Sequence, residues 1–159
     1  MTTSKTSKDL LLPEEECGLF GIYGMVDAAT HTALGLHALQ HRGQEAAGIV
    51  AYDDEQFHSH RALGLVGDNF NSTETMSQLK GNMAIGHVRY STTGGTVLRN
   101  IQPLFADFKF GGLAVAHNGN LTNAYKIRKE LVQRGCLFQS TRDTETIIHL
   151  IAISEYGRV

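Results

Sequence analysis

The sequence predicts an α+β fold of single-domain size, and two observations support this class. Segments with the apolar patterns of strands follow one another in pairs, as antiparallel strands do. Segments with helical spacing lie between these groups of strands and do not alternate regularly with single strands. The 159 residues are 42% apolar and 19% charged, which is an ordinary composition for a globular domain.

The first third of the chain predicts a strand, a helix and a hairpin. Apolar residues with glycine at every third position predict a buried strand from Cys17 to Val26. Helical spacing of alanine and leucine predicts a helix over 27–40, which Gly43 ends. The segments AAGIVAY (46–52) and QFHSHRA (56–62) predict two strands of a hairpin around an Asp-Asp turn.

The middle of the chain predicts one short helix and two strands. The helix covers residues 72–79. MAIGHVRY (83–90) follows it as a strand, and GGLAVAHNG (111–119) is a further strand that ends in a turn.

The last part of the chain predicts two helices. Thr122 or Asn123 caps the first, which has one apolar face and ends at Gly135. The second is a largely apolar helix from Asp143 to Glu155, which we expect to be buried between layers. Because its apolar residues need cover on more than one side and the sequence stops at Val159, we expect the chain to be cut from something longer.

Charge and cysteine content narrow the class of function. A net charge of -2 gives no electrostatic reason to expect a nucleic acid or an anionic membrane as partner. No apolar run approaches the roughly 18 residues of a membrane span. The two cysteines, Cys17 and Cys136, can form at most one disulfide, which favours a reducing, cytoplasmic location. The eight histidines show no metal-ligand spacing.

The segment LLLPEEECGLFGIYG places Cys17 directly behind three glutamates. Neighbouring carboxylates raise the pKa of a thiol and so suppress its reactivity. Either Cys17 is an inert, packed thiol, or the polar leader over residues 1–16 does not stay attached. We expect this leader to be disordered or removed.

Two motifs at strand ends contain groups suited to an oxyanion and to a carboxylate. HNGN places the carboxamide of Asn118 next to the backbone N–H of Gly119, which is the equipment of an oxyanion hole. The alternative is a simple Asn-Gly hairpin turn. In GHVRYSTTG, Arg89 leaves a strand for a hydroxyl-rich loop, where it and Thr92 could hold a carboxylate. The alternative for Arg89 is a surface ion pair.

Two further motifs carry charged residues at helix ends. In QHRGQEAAG, His41 and Arg42 suit the negative end of a helix dipole, and a contact with a substrate is the alternative. In STRDTE, Asp143 lies at a predicted helix start. Its carboxylate there either caps the helix or receives an ammonium group.

Six strings, taken together and in order, resemble a known family. CGLFGIYG, LQHRGQEAAGI, GNMAIGHVRYSTTG, NIQPL, AHNGNLTN and STRDTE closely resemble the glutaminase domain of class II glutamine amidotransferases, which are N-terminal-nucleophile hydrolases. The resemblance runs from Cys17 to at least Glu145. Gln44, Tyr90 and AHNGNLTN are similar to the branch that acts in purine synthesis. The sugar-aminotransferase branch reads more like HRGYDSAG and GHTRWATHG.

The resemblance implies a domain organisation and a fold. In this family a leader such as residues 1–16 is a propeptide, cut autocatalytically, so that residues 17–159 form the glutaminase domain. The superfamily fold is a four-layer αββα sandwich, which we expect to be truncated here at its C-terminus. Removal of the leader also takes away the three glutamates that precede the cysteine.

The resemblance implies three catalytic residues. Cys17 becomes the N-terminal residue and attacks the side-chain amide of glutamine. Its own α-amine, with a pKa near 7.7–8.0, serves as the general base. Asn118 and the backbone N–H of Gly119 stabilise the oxyanion.

Five residues are implied to bind or flank the substrate. Arg89, helped by Thr92, holds the α-carboxylate of glutamine, and Asp143 holds its α-ammonium group. Arg42 and Gly43 flank the nucleophile.

For the whole enzyme the resemblance implies phosphoribosyl pyrophosphate as the acceptor of ammonia and a homo-oligomer. Mg²⁺ is expected in a phosphoribosyltransferase domain outside this chain, and no cofactor is expected within it. Some members carry an iron–sulfur cluster whose cysteines are not found here, so Cys136 is interpreted as a structural thiol. Two alternatives stay open, namely the glutaminase domain of another class II amidotransferase and a non-catalytic glutamine-binding module.

Overall fold

The computed structural model describes residues 17–90, 97–109 and 111–154. Within these residues the chain forms antiparallel sheets with flanking helices, which confirms the α+β class. The elements in chain order are β1 (Gly18–Tyr23), α1 (Ala28–Ala38), β2 (Ala46–Tyr52), β3 (Phe57–Leu63), α2 (Val66–Asn69), α3 (Thr73–Gln78), β4 (Met83–Arg89), β5 (Leu104–Phe108), β6 (Gly111–Val115), α4 (Ala124–Gln133) and α5 (Asp143–Ala152). Short 3-10 helices cover Gln40–Arg42 and Leu98–Asn100.

The larger sheet has four strands in the order β1-β4-β2-β3, and every neighbouring pair is antiparallel. Val88 of β4 lies opposite Gly18 of β1 on one side and Ala47 of β2 on the other. The smaller sheet pairs β5 with β6, with Leu104 opposite Val115. The N-terminus of β1 and the C-terminus of β4 therefore meet at one end of the larger sheet.

The main core lies between α1 and one face of the larger sheet. Alanine residues on both α1 and the sheet let the helix lie close to the strands. Gly86 of β4 is required for this distance, since a Cβ at this position would overlap Leu36 and Thr32 of α1. The buried apolar residues of α1, β2 and β4 in this core are Ala28, Ala29, Ala33, Leu36, Ala47, Ile49, Ala51, Ala84 and Val88.

The smaller sheet covers the opposite face of the larger one. Phe57 of β3 contacts Phe105 of β5, with ring centroids 5.5 Å apart, and a Cβ at Gly112 of β6 would overlap the Phe57 ring. Because β2 is covered on both faces, it is buried from Ala46 to Ala51. Helix α5 contacts β5 and β6, and α4 packs against α5.

The β2–β3 hairpin forms as predicted, and Asp53 organises its turn. The Asp53 carboxylate accepts hydrogen bonds from the backbone N–H groups of Glu55 and Gln56 and pairs with His58 at 2.6 Å. The contact with His58, followed by that with Gln56, lowers the pKa of Asp53 from 3.8 to about 2. Asp54 adopts a positive φ of 72°.

The prediction of a buried strand over 17–26 is wrong in burial and in extent. Strand β1 ends at Tyr23 and, among the described residues, pairs with β4 alone, so it lies at the edge of this sheet. Gly18 is buried, Phe20 and Ile22 are partly buried, and the residues between them are exposed, with the side chain of Tyr23 81% exposed. Glycine at every third position gave no information about whether a second partner strand was present.

The two C-terminal helices form with corrected boundaries. Asn123 is the N-cap residue of α4, as one of the two predicted alternatives, although its side chain makes no capping hydrogen bond. Gly135 ends the helix with a positive φ of 90°. Helix α5 begins at Asp143 and ends at Ala152, and the rest of its predicted span after residue 154 lies outside the described residues.

Some elements were not predicted. Strand β5 is short and carries Asp107 in an otherwise apolar segment, which weakens its strand pattern. Helix α2 has only four residues and the 3-10 helices have three each, too few for a period to be visible. Among the described residues, every helix is too short or too polar to cross a membrane.

Candidate active site

Cys17 lies directly before β1, at the end of the larger sheet where β4 finishes. Its Sγ donates to the backbone carbonyl of Tyr90, 3.5 Å away, and its own carbonyl oxygen accepts from Nε of Arg42 at 3.3 Å. Arg42 belongs to the 3-10 helix after α1. The cysteine is therefore held between the chain segments that follow β4 and α1.

Asn118 reaches the same cysteine from the smaller sheet. Its Nδ2 donates to the carbonyl oxygen of Cys17 at 2.8 Å, although the two residues are 101 positions apart in the chain. An amide nitrogen has two donors, so one N–H remains for another acceptor. Gly119 follows with a φ of 121°, a backbone conformation that favours glycine. Because a helix and not a strand comes next, the hairpin-turn alternative for HNGN is wrong.

Arg89 is the last residue of β4 and is 7% exposed, which rules out the alternative of a surface ion pair. Burial lowers the pKa of Arg89, and the positive charge of Arg142 lowers it further. The negative charge of Glu45 acts in the opposite direction. A buried guanidinium close to another arginine is an environment in which an added anion would be stabilised.

Gly43 lies directly against the backbone of Arg89. A Cβ at this position would lie 2.8 Å from the backbone nitrogen of Arg89, so only glycine allows the chain after the 3-10 helix to pass this closely. The N–H of Glu45 then donates to the carbonyl of Arg89 at 3.1 Å. Thr92, the other predicted carboxylate ligand, lies outside the described residues.

Asp143 is the first residue of α5, and its side chain is 7% exposed. The helix cap is Arg142, whose side chain makes no capping hydrogen bond, so the alternative of Asp143 as N-cap is wrong. Oδ2 of Asp143 instead accepts from the backbone N–H of Leu121 at 2.7 Å, and Oδ1 lies 3.9 Å from Nδ1 of His117. These contacts tie Asp143 to the segment that carries Asn118 and Gly119.

Sequence analysis missed His87, which lies on β4 two residues before Arg89 and is 1% exposed. Burial, helped by the positive charge of Arg142, lowers the pKa of His87 from 6.5 to about 4, and the nearby Asn118 side chain opposes this shift. The ring is therefore neutral at pH 7. A histidine in the apolar segment MAIGHVRY was the available signal.

Asn100 and Gln102 were also missed, although both belong to the NIQPL string. Both are buried, at 8% and 1% exposure. Each makes two hydrogen bonds to a distant segment, Asn100 to Thr141 and Gln102 to His117.

The described ranges contain no group of three or more His, Cys, Asp or Glu side chains that could hold a metal ion. Cys17 and Cys136 are both free thiols. The side chains of the described residues therefore do not form a ligand group that fits an iron–sulfur cluster or a magnesium ion.

A cysteine beside an asparagine donor and close to a buried arginine, next to two antiparallel sheets, is the combination expected of a glutamine amidotransferase. In agreement, a family model described as a glutamine amidotransferase domain matches residues 87–158. The chain is 56% identical over 143 residues to an amidophosphoribosyltransferase from Rhizobium etli, covering 90% of this chain and 29% of that protein. It is 54% identical over 137 residues to the one from Lacticaseibacillus casei, covering 86% of this chain and 71% of that protein. The chain belongs to the amidophosphoribosyltransferase family.

Solved structures agree with this assignment. A structure described as the allosteric regulatory enzyme of purine biosynthesis is 48% identical with a TM-score of 0.80, covering 86% of this chain and 30% of that one. The glutamine phosphoribosylpyrophosphate amidotransferase from Bacillus subtilis, complexed with ADP and GMP, is 46% identical with a TM-score of 0.77. The chain thus spans about three tenths of the length of several relatives that it matches.

Proposed function

We propose that this chain hydrolyses the side-chain amide of glutamine through a thioester on Cys17. The observation that carries the proposal is the 2.8 Å hydrogen bond from Nδ2 of Asn118 to the carbonyl of Cys17. It brings a cysteine and a carboxamide donor together from segments that are 101 positions apart in the chain. A nucleophile next to a preorganised donor is the arrangement that acyl transfer requires.

The nucleophile requires a free α-amine. While residue 16 is joined to Cys17, the nitrogen of Cys17 is an amide and cannot take up a proton at neutral pH. We therefore propose that residues 1–16, which lie outside the described residues, are a propeptide and that residues 17–159 form the glutaminase domain. The freed amine, with a pKa near 7.7–8.0, then accepts the thiol proton.

The reaction proceeds in two steps. The thiolate sulfur attacks the amide carbon, and the oxyanion that forms accepts hydrogen bonds from the free N–H of Asn118 and from the backbone N–H of Gly119. The C–N bond breaks, and ammonia leaves with the proton that the amine had taken from the thiol. Water then adds to the thioester, and the C–S bond breaks to release glutamate and restore the thiol of Cys17.

The two ends of the substrate are held by opposite charges. Arg89, with Thr92, binds the α-carboxylate, and its burial and its proximity to Arg142 favour an added anion. Asp143 binds the α-ammonium group. Arg42 donates a hydrogen bond to the backbone carbonyl of Cys17, and Gly43 allows its segment to pass close to β4 at Arg89.

We propose that the helix and sheet layers of this chain belong to the four-layer αββα sandwich of N-terminal-nucleophile hydrolases. The packing of α1 on one sheet, of the two sheets on each other and of α5 on the smaller sheet supports this layer order.

For the whole protein we propose that ammonia displaces pyrophosphate from phosphoribosyl pyrophosphate and forms 5-phosphoribosylamine, in the cytoplasm and as a homo-oligomer. Mg²⁺ would act in a phosphoribosyltransferase part of the protein, and no step above uses a metal or an iron–sulfur cluster. The identity to amidophosphoribosyltransferases supports this assignment over a sugar aminotransferase.

The test uses the full-length protein with glutamine or ammonia as the nitrogen source. Cys17→Ala should abolish glutamine-dependent synthesis and leave ammonia-dependent synthesis unchanged, and Cys136→Ser is the matched control that should change neither. Arg89→Ala and Asp143→Ala should each raise the activation free energy of the glutamine-dependent reaction by about 2–5 kcal/mol, because each leaves a substrate charge unpaired.

Mass spectrometry of the intact active protein should show Cys17 as its first residue. Active protein that retains residues 1–16, or glutamine hydrolysis by Cys17→Ala, would overturn the mechanism. Glutamine binding without hydrolysis by the wild type would instead identify a binding module.

A further inference from the structure

Two buried carboxamides hold the backbone of the site from one short segment. Nε2 of Gln102 donates to the carbonyl of His117 at 3.1 Å, and the N–H of His117 donates to Oε1 of Gln102 at 2.7 Å. Nδ2 of Asn100 donates to Oγ1 of Thr141 at 2.9 Å, and the N–H of Thr141 donates to Oδ1 of Asn100 at 3.0 Å. Each side chain thus uses both its donor and its acceptor.

These bonds depend on the carboxamide group. A carboxylate accepts hydrogen bonds but does not donate them, and an apolar side chain does neither. Because Gln102 is 1% exposed and Asn100 is 8% exposed, water has little access to replace a lost partner.

The segment that carries the two carboxamides is itself held in place. Ile101, between them, is fully buried. The backbone carbonyl of Gln102 packs so closely on β2 that a Cβ at Gly48 would overlap it. Asn100 and Gln102 therefore extend from a base that is fixed to the larger sheet.

Each carboxamide binds a residue that lies one or two positions before a site residue in the chain. His117 immediately precedes Asn118, whose Nδ2 contacts Cys17. Thr141 precedes Asp143 by two residues, at the start of α5. The two segments that the carboxamides bind are thus those that carry the oxyanion donors and the Asp143 carboxylate.

We propose that Gln102 and Asn100 are positioning residues for the two halves of the glutamine site, with Gln102 placing the oxyanion donors and Asn100 placing Asp143. This inference rests on the proposed glutaminase function. Oxyanion donors act when charge develops in the transition state, so their misplacement lowers kcat. A ligand for the α-ammonium group also binds the ground state, so its misplacement raises KM.

The experiment measures glutamine hydrolysis by the full-length protein. Gln102→Glu replaces the N–H donor to His117 by an oxygen and places an acid at a buried position, and we expect kcat to fall roughly 10- to 100-fold with KM unchanged, since a 1 Å misplacement can cost about 100-fold. Asn100→Asp makes the same change opposite Thr141, and we expect KM to rise with a smaller change in kcat. The exposed residues provide matched controls, Gln133→Glu and Asn71→Asp, which should change neither constant.

A second readout separates positioning from general damage to the fold. Alkylation of Cys17 by iodoacetamide forms no oxyanion, so its rate, followed by mass spectrometry of the Cys17 peptide, should be unchanged in Gln102→Glu. If Gln102→Glu does not fold, Gln102→Asn keeps the amide but shortens its reach, and it should show the same loss of kcat.

Unchanged kinetics, or equal changes of kcat and KM in both variants, would overturn the inference. A parallel loss of alkylation would also overturn it. Failure of the proposed function is distinguishable, because then either the wild type would not hydrolyse glutamine or Cys17→Ala would still hydrolyse it.

Discussion

His87 is a neutral histidine buried beside the buried arginine of the site, and this makes stability depend on pH. Its pKa of about 4 in the folded protein lies below the ordinary value of 6.5. Between these values the unfolded chain binds a proton that the folded protein does not. The free energy of unfolding therefore decreases as the pH falls from 6.5 to about 4, by up to about 3 kcal/mol, since one pKa unit corresponds to about 1.4 kcal/mol.

We expect His87→Gln to flatten this part of the pH dependence, because glutamine does not titrate. Urea unfolding of the full-length protein at several pH values between 4 and 7 would measure it. His31→Gln is the control, since His31 is exposed on α1 and should leave the slope unchanged. An equally steep decrease in His87→Gln would show that other groups cause it.

At the scale of elements, the contact between α1 and the larger sheet is set by glycine. A Cβ at Gly86 of β4 would overlap Leu36 and Thr32, which are both fully buried. We expect Gly86→Ala to lower the free energy of unfolding by about 1–3 kcal/mol, because the overpacked helix must move away from the sheet.

The matched control for this substitution is Gly67→Ala in α2. A Cβ there would make only an ordinary contact with the ring of His37, so alanine should be neutral or stabilising by up to about 1 kcal/mol. Denaturant unfolding of both variants tests the difference. Equal stabilities would mean that the packing of α1 is looser than the structure indicates.

At the scale of the whole molecule, apolar surface predicts that the isolated 159-residue chain associates. Tyr23, Val26, Tyr125 and Leu137 are each at least 80% exposed. In addition, a largely apolar cavity of about 650 Å³ opens between the two sheets near Tyr23. Surfaces of this kind drive protein association.

We therefore expect the isolated chain to bind a hydrophobic dye and to form oligomers at micromolar concentration. Dye fluorescence and sedimentation velocity would measure this, with the full-length protein as the comparison. A monomeric chain that does not bind the dye would contradict the prediction.

The local elements could largely be predicted from the sequence because their signals are local. The hairpin over 46–62, the helix capped by Ser72 and the helix that ends at Gly135 all formed where periodicity and turn residues placed them. The exposure of β1 could not be predicted, since it depends on how many strands pair with β1, and within the described part of the chain only β4 does. The identity of Cys17, Asn118 and Arg89 as candidates came from motifs, and their roles remain predictions.

By itself the sequence determined the fold class, most element positions, the family and the candidate residues, because periodicity and motif spacing are properties of neighbouring residues. Only the tertiary structure decided which candidates meet. The contact between Cys17 and Asn118, the burial of Arg89 and the two carboxamide contacts of Asn100 and Gln102 each join segments from separate elements. Such contacts depend on strand order and on the packing of the two sheets, which no local pattern encodes.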